Sequence, residues 1–90
     1  MASSAVLVKV DGGRVTQVLQ QTRENLDAAQ GEVVLDFSSL PRIDSAALRA
    51  LQLLAEAAEA KGTKIVMTNV NVDIYKVLKL MKLDSRFTFA

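Results

Sequence analysis

The chain of 90 residues has no cysteine, no histidine and no tryptophan, and it contains one proline and one tyrosine. The absence of cysteine and histidine excludes disulfide bonds, thiol chemistry, the usual zinc sites and the commonest general base. A sequence without cysteine also fits a reducing cytoplasm. We therefore expect a cytoplasmic protein that holds no metal and no cofactor.

The sequence also lacks an excess of charge of either sign. Eleven basic and ten acidic residues leave a net charge of +1, and aromatic residues make up 4% of the chain. Proteins that bind nucleic acid need a basic surface, and those that bind single strands also need aromatic rings on which bases stack. We expect no nucleic acid partner.

Long apolar runs are absent as well. No run approaches the roughly 20 residues that span a bilayer, and residues 1–4 have neither the basic start nor the apolar core of a signal peptide. Half of the residues are hydrophobic, which is enough to bury one small core. We expect a single domain over residues 1–90 that does not insert into a membrane.

Strand-like and helix-like patterns alternate along the chain. They predict strands at 5–10, 32–37 and 64–70, helices at 15–29, 45–61 and from 73 onward, and either a short last strand or a returning loop at 86–89. This order predicts an α/β fold with a small, mostly parallel mixed sheet of three to five strands and three main helices from βα repeats. If the strands are added in one direction, right-handed crossovers place every helix on the same sheet face.

The helix predicted at 45–61 has three surfaces. One is a narrow polar stripe, and a second, rich in leucine and alanine, suits the sheet. The remaining flank has small side chains that permit a close approach: Ala46, Ala50, Leu53 and Ala57. This flank either packs against a neighbouring helix of the domain or docks a partner, and different residues of it can do both.

The start of the same helix carries the pair Asp44-Ser45. Both residue types cap helices well, so capping is one interpretation. The other is a phosphorylation site, because the unsatisfied backbone N–H groups and the positive helix end accommodate a phosphate. Local chemistry leaves both interpretations open.

Two carboxylates raise the alternative of an enzyme. Asp36 and Asp44 both lie near the predicted carboxyl edge of the sheet, where α/β proteins place their sites. They could hold Mg²⁺ or exchange protons. However, the sequence has no nucleophile–base pair and no glycine-rich phosphate loop. We expect Asp36 to bond loop N–H groups at a strand end, and we expect no catalysis.

The order of motifs supplies a family resemblance. It comprises a strand ending in Asp, an Asp-Ser helix start, a glycine helix stop, an apolar strand and a leucine-rich helix end, seen here as Val33-Val34-Leu35-Asp36, Ile43-Asp44-Ser45-Ala46-Ala47-Leu48, Lys61-Gly62, Ile65-Val66-Met67 and Val77-Leu78-Lys79-Leu80-Met81-Lys82-Leu83. This order resembles the STAS domain, the fold of bacterial anti-sigma-factor antagonists. The resemblance covers most of the chain and implies a STAS-like domain.

In the antagonist branch, the serine that follows the aspartate is phosphorylated by a partner kinase that doubles as an anti-sigma factor. By position, Ser45 matches the phospho-acceptor and Asp44 its neighbour. The resemblance therefore implies a signalling protein of transcription regulation that is switched at Ser45. The predicted partner-binding residues are Asp36, Asp44, Ser45, Ala46, Ala50, Leu53 and Ala57.

Two departures from the family pattern stand out. Ala46 and Ala47 replace the family's second serine and its glycine, so a kinase that needs a close backbone approach meets a methyl group. The family's first strand also has no counterpart before residue 5. An unpaired sheet edge invites a second chain, which leaves a homodimer through that edge as an open alternative.

A second branch of the family offers a different function. Small STAS-like subunits of bacterial lipid-transport ABC complexes look similar, with a hydroxyl residue at the same helix start. The stretch Asn69-Val70-Asn71-Val72-Asp73-Ile74-Tyr75 resembles that branch. This alternative implies a constitutive assembly subunit whose partner is an ABC ATPase subunit.

Basic residues crowd the C-terminal segment, at Lys76, Lys79, Lys82 and Arg86. The lysines lie broadly opposite an apolar face predicted from Ile74, Val77, Leu78 and Met81. We expect either a solvated surface or electrostatic steering toward an acidic partner.

Overall fold

The computed structural model describes residues 6–26 and 31–90. Four strands alternate with three helices: β1 (Val6–Lys9), α1 (Val15–Glu24), β2 (Glu32–Asp36), α2 (Ser45–Lys61), β3 (Lys64–Thr68), α3 (Val72–Leu80) and β4 (Thr88–Phe89). Within these ranges, none of the helices has the length and apolar character needed to cross a bilayer. The last strand, left open by the sequence, is present.

The sheet is built by adding each new strand to the same side of the one before it. Its order is β1-β2-β3-β4, and all three pairings are parallel. In β2, Val33 and Leu35 are buried while Val34 between them is only partly covered, so one face of the sheet carries the core. Leucines of all three helices are fully buried in that core: Leu19, Leu51, Leu54 and Leu78. The predicted α/β class is confirmed.

Several predicted bounds needed correction. The helix predicted to run to residue 29 ends at Glu24, because Asn25 satisfies its last carbonyl groups with its backbone N–H and with a side-chain bond of 2.9 Å to the Gln21 carbonyl oxygen. The predicted helical position Ala29 lies outside the described residues. β1, β2 and β3 end one to two residues earlier than predicted, and the predicted strand position Ala5 lies outside the described residues. By contrast, α2 has the predicted bounds and ends at Gly62, in the left-handed conformation at φ 69°.

The lysines of the predicted basic surface, Lys76, Lys79 and Lys82, are exposed, whereas Arg86 forms an ion pair. Arg86 donates two hydrogen bonds of 2.9 Å to the Glu59 carboxylate on α2. This bidentate pair raises the pKa of Arg86 and holds the segment before β4 against α2. Met81, predicted as part of the apolar face of α3, is the C-cap residue of that helix and is 45% exposed.

Candidate functional site

The start of α2 is capped by Asp44. Its backbone is extended, and its Oδ1 accepts a hydrogen bond of 2.8 Å from the Ala47 N–H. This is the bond that an N-cap residue makes to the third helical N–H. The capping interpretation of the Asp44-Ser45 pair therefore applies to Asp44.

Ser45 is left with an exposed side chain. It is the first residue of α2, and its hydroxyl makes no hydrogen bond to any residue that the structure describes. A hydroxyl that caps a helix is held by backbone N–H groups, whereas this one is accessible to a modifying enzyme or a partner. The structure thus assigns the capping role to Asp44, and phosphorylation of Ser45 stays a prediction.

The loop before α2 is held by the first turn of α3. The Asn71 Nδ2 donates a hydrogen bond of 2.8 Å to the Pro41 carbonyl oxygen, while its Oδ1 accepts one of 2.9 Å from the Ile74 N–H. One side chain therefore caps α3 and fixes the loop that leads to Ser45. The same loop is anchored in the core by Leu40, which is 5% exposed.

Asp36 serves the neighbouring strand ends. Its Oδ1 accepts hydrogen bonds from the Ser38 N–H at 2.9 Å and from the Asn69 Nδ2 at 3.0 Å. These bonds, led by the one from Asn69, lower the pKa of the Asp36 carboxyl group. Asn69 takes the left-handed conformation, at φ 58°. The predicted loop contact of Asp36 is present, and the carboxylate links the ends of β2 and β3.

A groove of about 120 Å³ lies between α1 and α2. The α2 side is lined by Ala46, Arg49, Ala50 and Leu53, and the α1 side by Thr16, Gln20 and Arg23. The lining combines small and apolar side chains of α2 with one arginine from each helix. Ala50 and Ala57 pack against the core, as the packing interpretation of the α2 flank predicts, while Ala46 stays exposed. Docking of a partner on this flank stays a prediction.

The structure places three of the predicted site residues in the groove. Ser45 begins the helix whose next turns supply three of the groove residues, Ala46, Ala50 and Leu53. Ala57 lies farther along α2 and does not line the groove. Asp36 borders neither the groove nor the two recesses that Asp44 lines.

The sequence interpretation missed the α1 half of the groove. Thr16, Gln20 and Arg23 recur at steps of four and three residues, which is the spacing of one helical stripe. That signal could have identified an outward-facing surface of α1, but not that it would flank α2. No group of three or more acidic side chains able to hold a metal occurs in residues 6–26 and 31–90.

These features define a small parallel α/β domain with an accessible serine at the capped start of its longest helix. A protein-family model described as "Mlab, STAS domain" matches residues 6–88. Since that match spans nearly the whole chain, the chain belongs to the STAS domain family. The family resemblance of the sequence is thereby confirmed.

Solved structures of other proteins share the fold. A Thermotoga maritima protein described as a candidate anti-sigma factor antagonist is 17% identical, with a TM-score of 0.78 over 99% of this chain and 80% of that one. A sulfate transporter family protein from Wolinella succinogenes is 19% identical, with a TM-score of 0.80 over 99% and 79%. A glutamate-for-serine variant of RsbS from Moorella thermoacetica is 25% identical, with a TM-score of 0.75 over 99% and 80%.

Because Asp44 caps α2 and Ser45 does not, substitutions at these two positions should differ in their effect on the stability of the fold. Asp44→Ala removes the N-cap acceptor and should lower the free energy of unfolding by about 1 kcal/mol. Asp44→Asn keeps an acceptor and should lose much less. Ser45→Ala should be close to neutral, because the Ser45 hydroxyl bonds to no residue in the described part of the chain and alanine favours helix. Urea denaturation measures all three, and a Ser45→Ala loss as large as that of Asp44→Ala would contradict the assignment.

The hydrogen bonds of Asp36 predict that the stability of the fold decreases as the pH becomes acidic. A carboxyl group whose folded pKa lies below its usual value of 3.8 stabilises the fold above that value, and the contribution is lost as pH falls through the folded pKa. The wild type should be more stable than Asp36→Asn at neutral pH, and the difference should vanish in acid. Thermal unfolding between neutral and acidic pH measures this difference.

Asn69→Ala supplies the control for the acid dependence. Because Asn69 is the main cause of the lowered pKa of Asp36, the Asp36→Asn substitution should cost less in an Asn69→Ala background. An undiminished cost in that background would show that the two side chains are not coupled.

Proposed function

We propose that this protein is a non-enzymatic, cytoplasmic regulator that binds a protein partner and is switched by phosphorylation of Ser45. The proposal rests chiefly on one observation: the exposed Ser45 hydroxyl bonds to none of the described residues and lies beside a cap that Asp44 provides. The partner is a serine kinase that acts as an anti-sigma factor, so the protein would act in signal transduction toward transcription. The STAS family membership supports this role.

The docking surface of the proposal consists of Asp44, Ser45 and the groove residues Ala46, Ala50 and Leu53. Small side chains let a partner approach closely, and a close interface leaves little room for added bulk or charge. Transfer of the γ-phosphoryl group of ATP to the Ser45 oxygen would release ADP and the hydroxyl proton and would add about two negative charges at Ser45. The partner would be released while the fold stays intact, because the Ser45 hydroxyl makes no bond that the fold needs.

Asp36 and Ala57 have a supporting place in this proposal. Asp36 is bonded to Asn69 and Ser38, so it would hold the loops beside a docked partner. Ala57 packs against the core and would keep α1 close to α2. A second copy, if it binds, would use the outer edge of β1, where Leu7 is 74% exposed.

A phosphorylation assay tests the switch. The purified protein is incubated with ATP and, one at a time, the serine kinases of its source cell, and its intact mass is measured. We expect one added phosphate that is lost in Ser45→Ala and kept in Ser85→Ala, a matched change at another exposed serine. A phosphate that persists in Ser45→Ala, or none with any of the kinases, would refute the switch.

A second function has its own support. The family model that matches is described as "Mlab, STAS domain", which favours the branch found in lipid-transport ABC complexes. In that case the same surface would clamp an ABC ATPase subunit without being phosphorylated. The sulfate transporter family relative is compatible with a STAS domain in a transport assembly.

Affinity purification from the source cell distinguishes the two partners. Wild-type bait should recover a kinase under the first proposal and an ATPase subunit under the second. Ala46→Arg places a long charged side chain in the groove and should abolish recovery. Ala60→Arg, at an exposed position near the other end of α2, should not. Equal recovery with both variants would show that the groove is not the docking surface.

A further inference from the structure

Arg49 is close to Ser45 on α2 and also lines the groove. It lies one helical turn after Ser45 on α2, its side chain is exposed, and it forms part of the groove wall. Among the residues that the structure describes, it has no hydrogen bond or ion pair. Its guanidinium group is therefore available to bind an anion.

We infer that Arg49 is the positioning residue that conveys the state of Ser45 to the groove: a phosphate on Ser45 binds the Arg49 guanidinium and draws it away from the docking surface. This inference rests on the proposed function of Ser45. It adds the mechanism by which a modification at the helix start changes a surface one to two turns away.

The helix geometry supports the contact. Residues four apart lie about 40° apart around the axis, with their Cβ atoms about 6 Å from each other. An anion one turn N-terminal to a cation is the favourable order on a helix. The planar guanidinium group can also donate two parallel hydrogen bonds to phosphate oxygens.

Other charged groups surround Ser45, and they determine which controls are needed. The Asp44 carboxylate is bonded to the Ala47 N–H, so it stays beside the phosphate and repels it equally in every Arg49 variant. Three arginines lie on neighbouring segments: Arg42 in the preceding loop, Arg14 at the start of α1 and Arg23 across the groove. Arg42 is exposed and close in sequence, which makes it the matched control.

The pairing would change the charge of the docking surface. In the unmodified protein, Arg23 and Arg49 place positive charge on both walls of an apolar groove, which suits an acidic segment of a partner. Once a phosphate holds Arg49, only Arg23 remains for such a segment. The modification would then weaken docking by removing an attractive group as well as by adding a repulsive one.

The experiment uses full-length protein in which phosphoserine is incorporated at position 45 during synthesis, so that no kinase is required. The phosphate is titrated by ³¹P NMR, since its second proton dissociates with a pKa of about 6. The pKa of the phosphate should be higher in Arg49→Gln than in the wild type. We expect the acid dissociation constant of the phosphate to fall about twofold, which is the size of one charge pair on a helix surface. Arg49→Lys keeps the charge and should restore most of the difference.

The controls separate this contact from general electrostatics and from folding. Arg42→Gln removes one arginine outside the groove and should shift the phosphate pKa less than Arg49→Gln does. Gln and Lys have helix propensities close to that of Arg, so circular dichroism should show intact α2 in both Arg49 variants. An unchanged phosphate pKa in Arg49→Gln, or an equal shift in Arg42→Gln, would overturn the inference.

This result and the kinase assay fail independently. A phosphate that does not sense Arg49 would refute the contact but leave phosphorylation of Ser45 untouched. If no kinase modifies Ser45, the contact can still be present in the synthetic phosphoprotein, and only its physiological use would be lost.

Discussion

The constraint on which the rest of this structure depends is the uniform direction of its three βα crossovers. Because each strand adds beside the preceding one and parallel connections are right-handed, the helices lie together on one face of the sheet. Two consequences follow for the site. The carboxyl ends of the strands point to one edge, where α2 and α3 begin, and α1 lies alongside α2. The groove exists only because these two helices, which are separated by β2 in sequence, become neighbours.

At the edge where the carboxyl ends of the strands meet, short polar side chains cap the helices and hold the loops. Asn71 caps α3 and holds the Pro41 carbonyl, Asp36 bonds Asn69 and Ser38, and Asp44 caps α2. Each of these side chains satisfies backbone or amide groups that would otherwise depend on water. None involves Ser45. A modification at Ser45 can therefore alter the surface without disturbing the bonds that position it, which is what a switch that leaves the fold unchanged requires.

The arginines of this protein differ in whether they have an acidic partner. Arg86 is paired with the Glu59 carboxylate and stabilises the C-terminal segment, whereas Arg49 has no such partner among the described residues. Sequence alone shows both only as basic residues in a nearly neutral chain. The difference arises because Glu59 lies on the turn of α2 that faces the segment before β4. Among the described residues, the groove wall that contains Arg49 has no acidic side chain.

Local patterns determined a large part of this protein. The period of the apolar residues predicted the order of strands and helices, and Asp44 and Gly62 marked both ends of α2, because caps and stops act over a few residues. Tertiary structure decided the rest. It tied the Pro41 carbonyl group to Asn71 across 30 residues, brought Arg23 into the groove beside α2 and paired Arg86 with Glu59. These outcomes depend on residues that are distant in sequence, and single-sequence patterns do not record such contacts.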